Sequence, residues 1–320
     1  MNNLCKGVLV SIVSLAVIFL LGELAVRIYL LRNTVYDVEM ARYAILLKVD
    51  SANPLIGHLH KPNSRARLMG VDIAINSDGF RGKNCPITKT NAHRIIFLGD
   101  SLTLGWGVRE ESTFSNILQN DINKKYPVEI INFGTGNYNT EQEVNLFIQK
   151  GLKYSPDKVV VFYFINDAET TPQKSKLWFL GYSRLVTFYW SKVNAFKNNL
   201  VPGESFQSYY SGLYRDGSVG WLREKESFLR LREICSENNV RLQVVLLPEL
   251  HNLTDYPFKE EYAKVANFLR ESGIEYLDLT PFFMGQNDPV RLWVADDDAH
   301  PNAMVHQLIA RHSLDFIAKK

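Results

Sequence analysis

Downstream of residue 94, short apolar runs alternate with longer stretches of helical spacing. Ile95 to Leu98, Val128 to Ile131, Val159 to Ile165, Leu242 to Leu247 and Glu275 to Leu279 are four to seven residues long. Such short and nearly continuous apolar runs predict strands buried on both faces. Between and after them, Thr113 to Lys125, Glu141 to Tyr154, Trp221 to Asn238, Tyr262 to Ser272 and Asn302 to Ala318 carry apolar residues at helical intervals. Strand and helix in alternation predict an α/β fold, a five-stranded parallel sheet between two helical layers, joined by right-handed crossovers. Ligands of such folds sit at the carboxyl ends of the strands, so the residues that follow each run are the first candidates for chemistry.

The amino terminus has a different pattern. Gly7 to Gly22 contains no charged residue, and the apolar character resumes at Leu24 to Val26. A helix over positions 7 to 26 is long enough, at about 1.5 Å per residue, to cross a hydrocarbon core of about 30 Å. Glu23 and Arg27 stand four apart and can pair on one helix face. A cleaved signal peptide has a shorter apolar region and a small-residue cleavage site, and none precedes Arg27, so the pattern favours an uncleaved anchor. The basic residues, Lys6 before it and Arg27, Arg32, Arg42 and Lys48 after it, do not by themselves place the remainder outside the cell.

The expected organisation is an anchor at 1–32, a connecting stalk or N-terminal extension at 33–75 that packs on the main domain, with turn signals at Asn53-Pro54 and Lys61-Pro62-Asn63, and one domain at 76–320. Asn76-Ser-Asp-Gly79-Phe-Arg81-Gly82 predicts a tight turn with Gly79 at positive φ. Residues 168–220 interrupt the alternation and hold twelve aromatic residues between Trp178 and Trp221. A helical insertion packing on itself accounts for them, as does a wall beside the site that stacks on sugar rings or rests at a membrane surface.

Composition narrows the function classes. The 36 Lys and Arg against 34 Asp and Glu leave a formal charge of +2, with no bulk electrostatic case for nucleic acid. Cys5, Cys85 and Cys235 lie far apart, which excludes a disulfide-stapled scaffold and a cysteine zinc site. His58-x-His60 offers two imidazoles and no third ligand nearby.

The first strand runs into Gly99-Asp100-Ser101-Leu102-Thr103. A serine there either caps a helix or acts as a nucleophile, and a nucleophile needs a base to take its proton. Asp297-Asp298-Ala299-His300 supplies an imidazole with carboxylates close by, and a single turn between Asp297 and His300 would aim one at the other. The oxyanion formed on an attacked ester carbonyl needs fixed donors. The Asn166 side chain and a backbone N–H at Gly136 or Asn137, each after a strand, supply them with the N–H of Ser101.

These four blocks, Gly99-Asp-Ser101-Leu, Asn132 to Asn137, Asn166-Asp167 and Asp297-x-x-His300, occur in the order that marks the SGNH hydrolases, also called the GDSL family. The chain resembles that family over residues 76 to 318. The resemblance implies a flavodoxin-like sandwich, a triad of Ser101, His300 and Asp297, and neither metal nor cofactor. With the anchor and the Asn76 to Arg81 turn, it is similar to the membrane-tethered bacterial subgroup associated with cell-surface polysaccharides. That implies an inner-membrane, periplasm-facing esterase or O-acyltransferase on O-acyl, chiefly acetyl, carbohydrate esters, working beside polysaccharide-biosynthesis proteins. Lipid esters are the competing substrate class, and a non-catalytic polysaccharide-binding module the competing function. Two positions depart from the family pattern. The oxyanion glycine expected five residues after Asn132 is Asn137, with Gly136 one place early, and Phe164 stands where the third block has glycine. Asn tolerates left-handed backbone, so its N–H can serve.

Overall fold

The computed structural model describes residues 3–171, 181–200 and 205–320. In chain order the elements are α1 (Asn3–Tyr29), α2 (Tyr36–Leu47), β1 (Lys48–Asp50), β2 (His58–His60), β3 (Arg65–Leu68), β4 (Val71–Ala74), β5 (His93–Gly99), α3 (Ser101–Leu104), α4 (Phe114–Asn123), β6 (Val128–Asn132) and α5 (Thr140–Leu146). There follow β7 (Lys158–Tyr163), α6 (Arg184–Leu200), α7 (Phe206–Leu213), α8 (Val219–Glu237), β8 (Arg241–Leu246), α9 (Lys259–Glu271), β9 (Glu275–Asp278), α10 (Thr280–Phe283), β10 (Trp293–Ala295), β11 (Asp298–Pro301) and α11 (Ala303–Ile317).

Five strands form one parallel sheet in the order β6-β5-β7-β8-β9. Numbered within the sheet this is 2-1-3-4-5, the flavodoxin-like order, whose switch point lies between the first and third strands. Those are β5 and β7, so the residues after Gly99 and after Tyr163 flank the crevice. All six residues of the central β7 are buried. One of them is Lys158, whose ammonium is satisfied at the strand's start by the carbonyl of Ile317, 2.7 Å away. Helix α4 packs on α11 and α5 on α8, two helix pairs that sandwich the sheet. Thr113 caps α4 through the N–H of Asn116, and Asn139 with Gln142 forms a capping box on α5, each worth about 1 kcal/mol.

The described residues form two compact units. One comprises 3–45 and 181–200; the other comprises 46–171 and 205–320 and holds the sheet. The expected stalk at 33–75 is therefore divided: α2 falls almost wholly in the first unit, while the β1–β2 and β3–β4 hairpins belong to the second. The insertion is divided as well, with α6 in the first unit and α7 in the second. Trp178 and Phe179 lie outside the described residues.

In the first unit, α1 is, among the described residues, the one helix long and apolar enough to cross a membrane. Its single acid, Glu23, pairs with Arg27 at 2.7 Å, as the spacing predicts. The same carboxylate closes the N-terminus of α6, accepting from the Ser183 hydroxyl (2.8 Å) and the N–H groups of Arg184 (3.1 Å) and Leu185 (2.9 Å). A helix start leaves N–H groups unpaired and favours negative charge, so Glu23 does two jobs at once.

In the second unit, the Asn76 to Gly82 turn forms as predicted, with Gly79 at φ 89°. The Asn76 side chain accepts from the N–H groups of Asp78 (3.0 Å) and Phe80 (2.9 Å). The turn delivers Arg81 to the loop behind α3, where its buried guanidinium donates to the carbonyls of Leu104, Gly105 and Val108 at 2.6–2.9 Å. All three cysteines are free thiols.

Candidate active site

Strand β5 ends at Gly99, whose φ of 155° and tight surroundings suit glycine alone. An added Cβ would stand 2.0 Å from the Thr103 hydroxyl oxygen. The next residue, Asp100, is the N-cap of α3 and accepts from the N–H of Leu102 at 2.8 Å. Asp100 thus takes the capping role that a serine often fills, and Ser101, the first helical residue, keeps its hydroxyl for other work. Its Oγ lies 2.7 Å from His300 Nε2.

The carboxylate that meets this imidazole is Asp298, a correction to the expected Asp297. His300 Nδ1 donates to Asp298 Oδ1 at 2.5 Å, and the His300 N–H reaches the same oxygen at 3.1 Å. The expectation assumed a turn between acid and base. The chain instead forms the β10–β11 hairpin, with 296 and 297 at its tip and Asp298 to Pro301 extended. Side chains along a strand alternate, so 298 and 300 share a face while Asp297 is exposed at the tip. Asp298 is 3% exposed, and its second oxygen accepts from Trp106 Nε1 at 2.8 Å. Burial alone would raise the Asp298 carboxyl; the His300 hydrogen bond and charge outweigh it and hold the group below the ordinary carboxylate range.

Trp106 carries no signal in the sequence beyond its place between Gly105 and Gly107. Both flanking glycines are at positive φ, 81° and 71°, and at Gly107 a Cβ would stand 2.8 Å from Val294 of β10. The loop after Ser101 is thereby pressed against the β10–β11 hairpin that carries His300.

After β6, Asn132 Nδ2 donates to the carbonyl of Thr103 (2.7 Å), and its Oδ1 accepts from the N–H of Gly134 (2.8 Å). Residue 134 must be glycine, because a Cβ there would lie 2.2 Å from the backbone nitrogen of Leu104. Gly136 and Asn137, the two candidate oxyanion donors, follow at once. Asn137 adopts φ 65°, the left-handed backbone that its family position asks of glycine. Lys48, from β1, donates from Nζ to the Gly136 carbonyl (2.7 Å) and to Asn137 Oδ1 (3.1 Å). His58, from β2, donates from Nε2 to the same carbonyl at 3.1 Å. Burial pushes the Lys48 ammonium down to about 7, and burial with the neighbouring Lys48 charge pushes His58 down to about 3. His58 and His60 are therefore engaged on backbone, His60 with the carbonyl of Gly79 at 3.3 Å. The β1–β2 hairpin, in the segment expected to pack on the main domain, thus props the loop that carries Gly136 and Asn137.

After β7, Phe164 has extended backbone, φ −133°, which any residue adopts, so the loss of the family's glycine costs no strain. Asn166 Nδ2 donates to Asp100 Oδ2 at 3.1 Å. An amide nitrogen carries two hydrogens, which leaves one for a developing oxyanion. Behind it lie Asp100, Glu143, Asp167 and Glu224, with Glu143 and Asp167 each within electrostatic reach of the other three. Burial first, and mutual repulsion second, raises Glu143, Asp167 and Glu224 well above the carboxylate range. Asp100 is raised by burial as well.

Of the other histidines, His93 lies 3.4 Å from the Asp157 carboxylate and His312 stacks on Phe282 with centroids 4.1 Å apart. His306 is buried, stacks on Phe114 with centroids 5.2 Å apart, and accepts from the Phe114 N–H at 3.1 Å. Among the described residues no group of three His, Cys, Asp or Glu is placed to hold a metal ion.

No curated protein matches the chain significantly. Among solved structures, a lipase/acylhydrolase from Enterococcus faecalis is similar at 15% identity and TM-score 0.45, covering 71% of this chain and 95% of that one. An acetyl xylan esterase is similar at 15% identity and TM-score 0.43, over 70% and 99%. A member of the lipolytic G-D-S-L family from Veillonella parvula is similar at 14% identity and TM-score 0.42, over 71% and 99%. Residues 97–308 match the GDSL-like lipase/acylhydrolase family, a span running from β5 through the serine, both asparagine loops and His300 into α11. The chain belongs to that family, whose members act on ester bonds.

Proposed function

We propose that the protein is a membrane-anchored serine esterase or O-acyltransferase on O-acyl carbohydrate esters. The observation that carries the chemistry is the continuous hydrogen-bonded line from Ser101 Oγ through His300 to Asp298. Ser101 Oγ attacks the ester carbonyl while His300 Nε2 takes its proton, and Asp298 holds the imidazole and stabilises its positive charge. The oxyanion is met by the N–H of Ser101, the free N–H of Asn166 and the N–H of Asn137. Collapse expels the sugar alkoxide, which leaves with the proton from His300, and an acyl-serine remains. A water or a second sugar hydroxyl then gives its proton to His300 and attacks the acyl group, and His300 passes the proton to Ser101 Oγ as the acyl bond breaks. Water makes the enzyme an esterase, and a sugar hydroxyl makes it an acyltransferase.

The Glu23 contact supports retention of α1 as an anchor, because cleavage after it would strip α6 of its cap. The periplasm-facing placement rests on the family resemblance. Ser101-dependent labelling by a fluorophosphonate tests the nucleophile, and absence of an adduct would favour a binding module. Tracing labelled acetate with and without oligosaccharide acceptors separates the two fates of the acyl group. A reporter fused after Lys320 that is active only in the cytoplasm would overturn the placement, and an amino terminus beyond residue 26 in the mature protein would overturn the anchor.

A further inference from the structure

At the carboxyl end of β8 the chain reads Leu247-Pro248-Glu249-Leu250-His251. Glu249 is 2% exposed, and its N–H donates to the Tyr256 hydroxyl at 3.0 Å. Its carboxylate accepts both from the His251 N–H (3.0 Å) and from His251 Nδ1. This repeats, two residues apart on one loop, the acid–imidazole pairing of Asp298 and His300. The acid is sealed inside, whereas the His251 side chain is 48% exposed and has Nδ1 engaged by Glu249, which leaves Nε2 as the ring nitrogen for a ligand.

Two aromatic rings flank this imidazole. Phe206 of α7 lies 4.9 Å away at 55°, and Trp293 of β10 lies 4.9 Å away at 63°. Trp293 pairs across the hairpin with Pro301, the neighbour of His300, and its Nε1 donates to the carbonyl of Leu250 at 3.1 Å. The second imidazole is thus tied to the strand pair that carries the first. Hydrogen bonding to Glu249 raises His251 above its ordinary value against the effect of burial, with the Glu249 and Asp298 charges adding to the rise.

We infer that Glu249, His251, Phe206 and Trp293 form a subsite beside the triad for an acidic sugar ring, the carboxylate accepting from His251 Nε2 and the ring lying on the aromatic faces. Aromatic faces suit the apolar face of a pyranose, and a charge-assisted donor discriminates a carboxylate from a hydroxyl. The inference deepens the carbohydrate-ester reading and rests on it: the substrate class becomes O-acylated uronic acid polymers.

The test compares O-acetylated glucuronate with O-acetylated glucose as substrates of the full chain, by acetate release. The wild type is expected to show kcat/KM about tenfold higher for the acidic ester, one charge-assisted hydrogen bond's worth of discrimination. His251→Gln is expected to bring the ratio to within about twofold. The groups facing His251, namely Glu249 on its own loop, Asp298 of β11, and the uncharged Phe206 and Trp293, predict that the preference fades as pH rises and the imidazolium is lost. A wild type without preference, or a variant that keeps it, overturns the subsite. If neither ester is cleaved and no Ser101 adduct forms, the esterase reading fails by itself, and the subsite is then judged by binding. Free glucuronate, and not glucose, should shift the His251 ring proton resonances of the wild type, and the absence of that shift overturns the inference.

Discussion

Asp298–His300 and Glu249–His251 are built alike, an acid two residues before an imidazole, with the acid buried and bonded to Nδ1 and to the histidine's own N–H. They differ in what the acid does besides. Glu249 directs one oxygen to each of the two His251 donors, so that pair is closed on itself. Asp298 gathers both His300 donors on Oδ1 and gives Oδ2 to Trp106, in the loop behind the nucleophile. One imidazole is thereby registered against a hydroxyl 2.7 Å away, and the other is left half-exposed between aromatic rings. An acid–histidine pair is a device for fixing the tautomer and direction of an imidazole. The partner at Nε2 decides whether it serves as a base or as a donor to a ligand.

That contrast is broken most severely at the first pair. Ser101→Ala should lower ester cleavage by about 10⁴-fold or more, and Asp298→Asn by about 10³- to 10⁴-fold through loss of the correct tautomer. Asp297→Asn should stay within about twofold, measured as kcat/KM on one small acetyl ester. Equal losses at 297 and 298 would contradict the strand-borne geometry. Lys48→Met should reduce kcat by about tenfold with little change in KM, since it slackens the Asn137 loop and leaves substrate contacts in place. Lys48→Arg should restore part of the loss, and a change confined to KM would remove Lys48 from that role. Trp106→Phe removes the bond that only the first pair has, and should cost about fivefold in kcat.

The smallest effect concerns stability at the second pair. His251 is raised in the folded protein, so its contribution is fully present below its unfolded value near 6.5 and is lost as pH rises through the folded one. Denaturation midpoints should therefore separate wild type from Glu249→Gln more at pH 5.5 than at pH 8.5. A gap that widens with pH would mean the imidazole is not held by Glu249.

Periodicity made the sheet legible. All five apolar runs became its strands, because strands buried on both faces leave a continuous apolar record. Ser101 and Asn166 were legible for the related reason that they closely follow strand ends, and His300 because aspartates stand two and three residues before it. Asp297 was misread because two adjacent aspartates are distinguished only by strand parity, and a three-residue apolar strand such as β10 is too short to announce a hairpin. Gly134 and Lys48 left no local mark. The glycine is required by the approach of α3 from 30 residues earlier, and the lysine acts on a loop 88 positions away. The insertion was read as one piece because aromatic enrichment records burial or stacking without recording the partner.

The placement of acid and base on one short strand also bears on how the enzyme can vary. The distance from Asp298 to His300 is fixed by backbone geometry, with no residue of the hairpin tip between them. Insertions or exchanges at 296 and 297 change the rim of the crevice while acid and base travel as one rigid piece. A single residue gained or lost between 298 and 300 would turn the carboxylate to the opposite face of the strand. Within four positions of sequence, tolerance to insertion should thus change from nearly complete to nil.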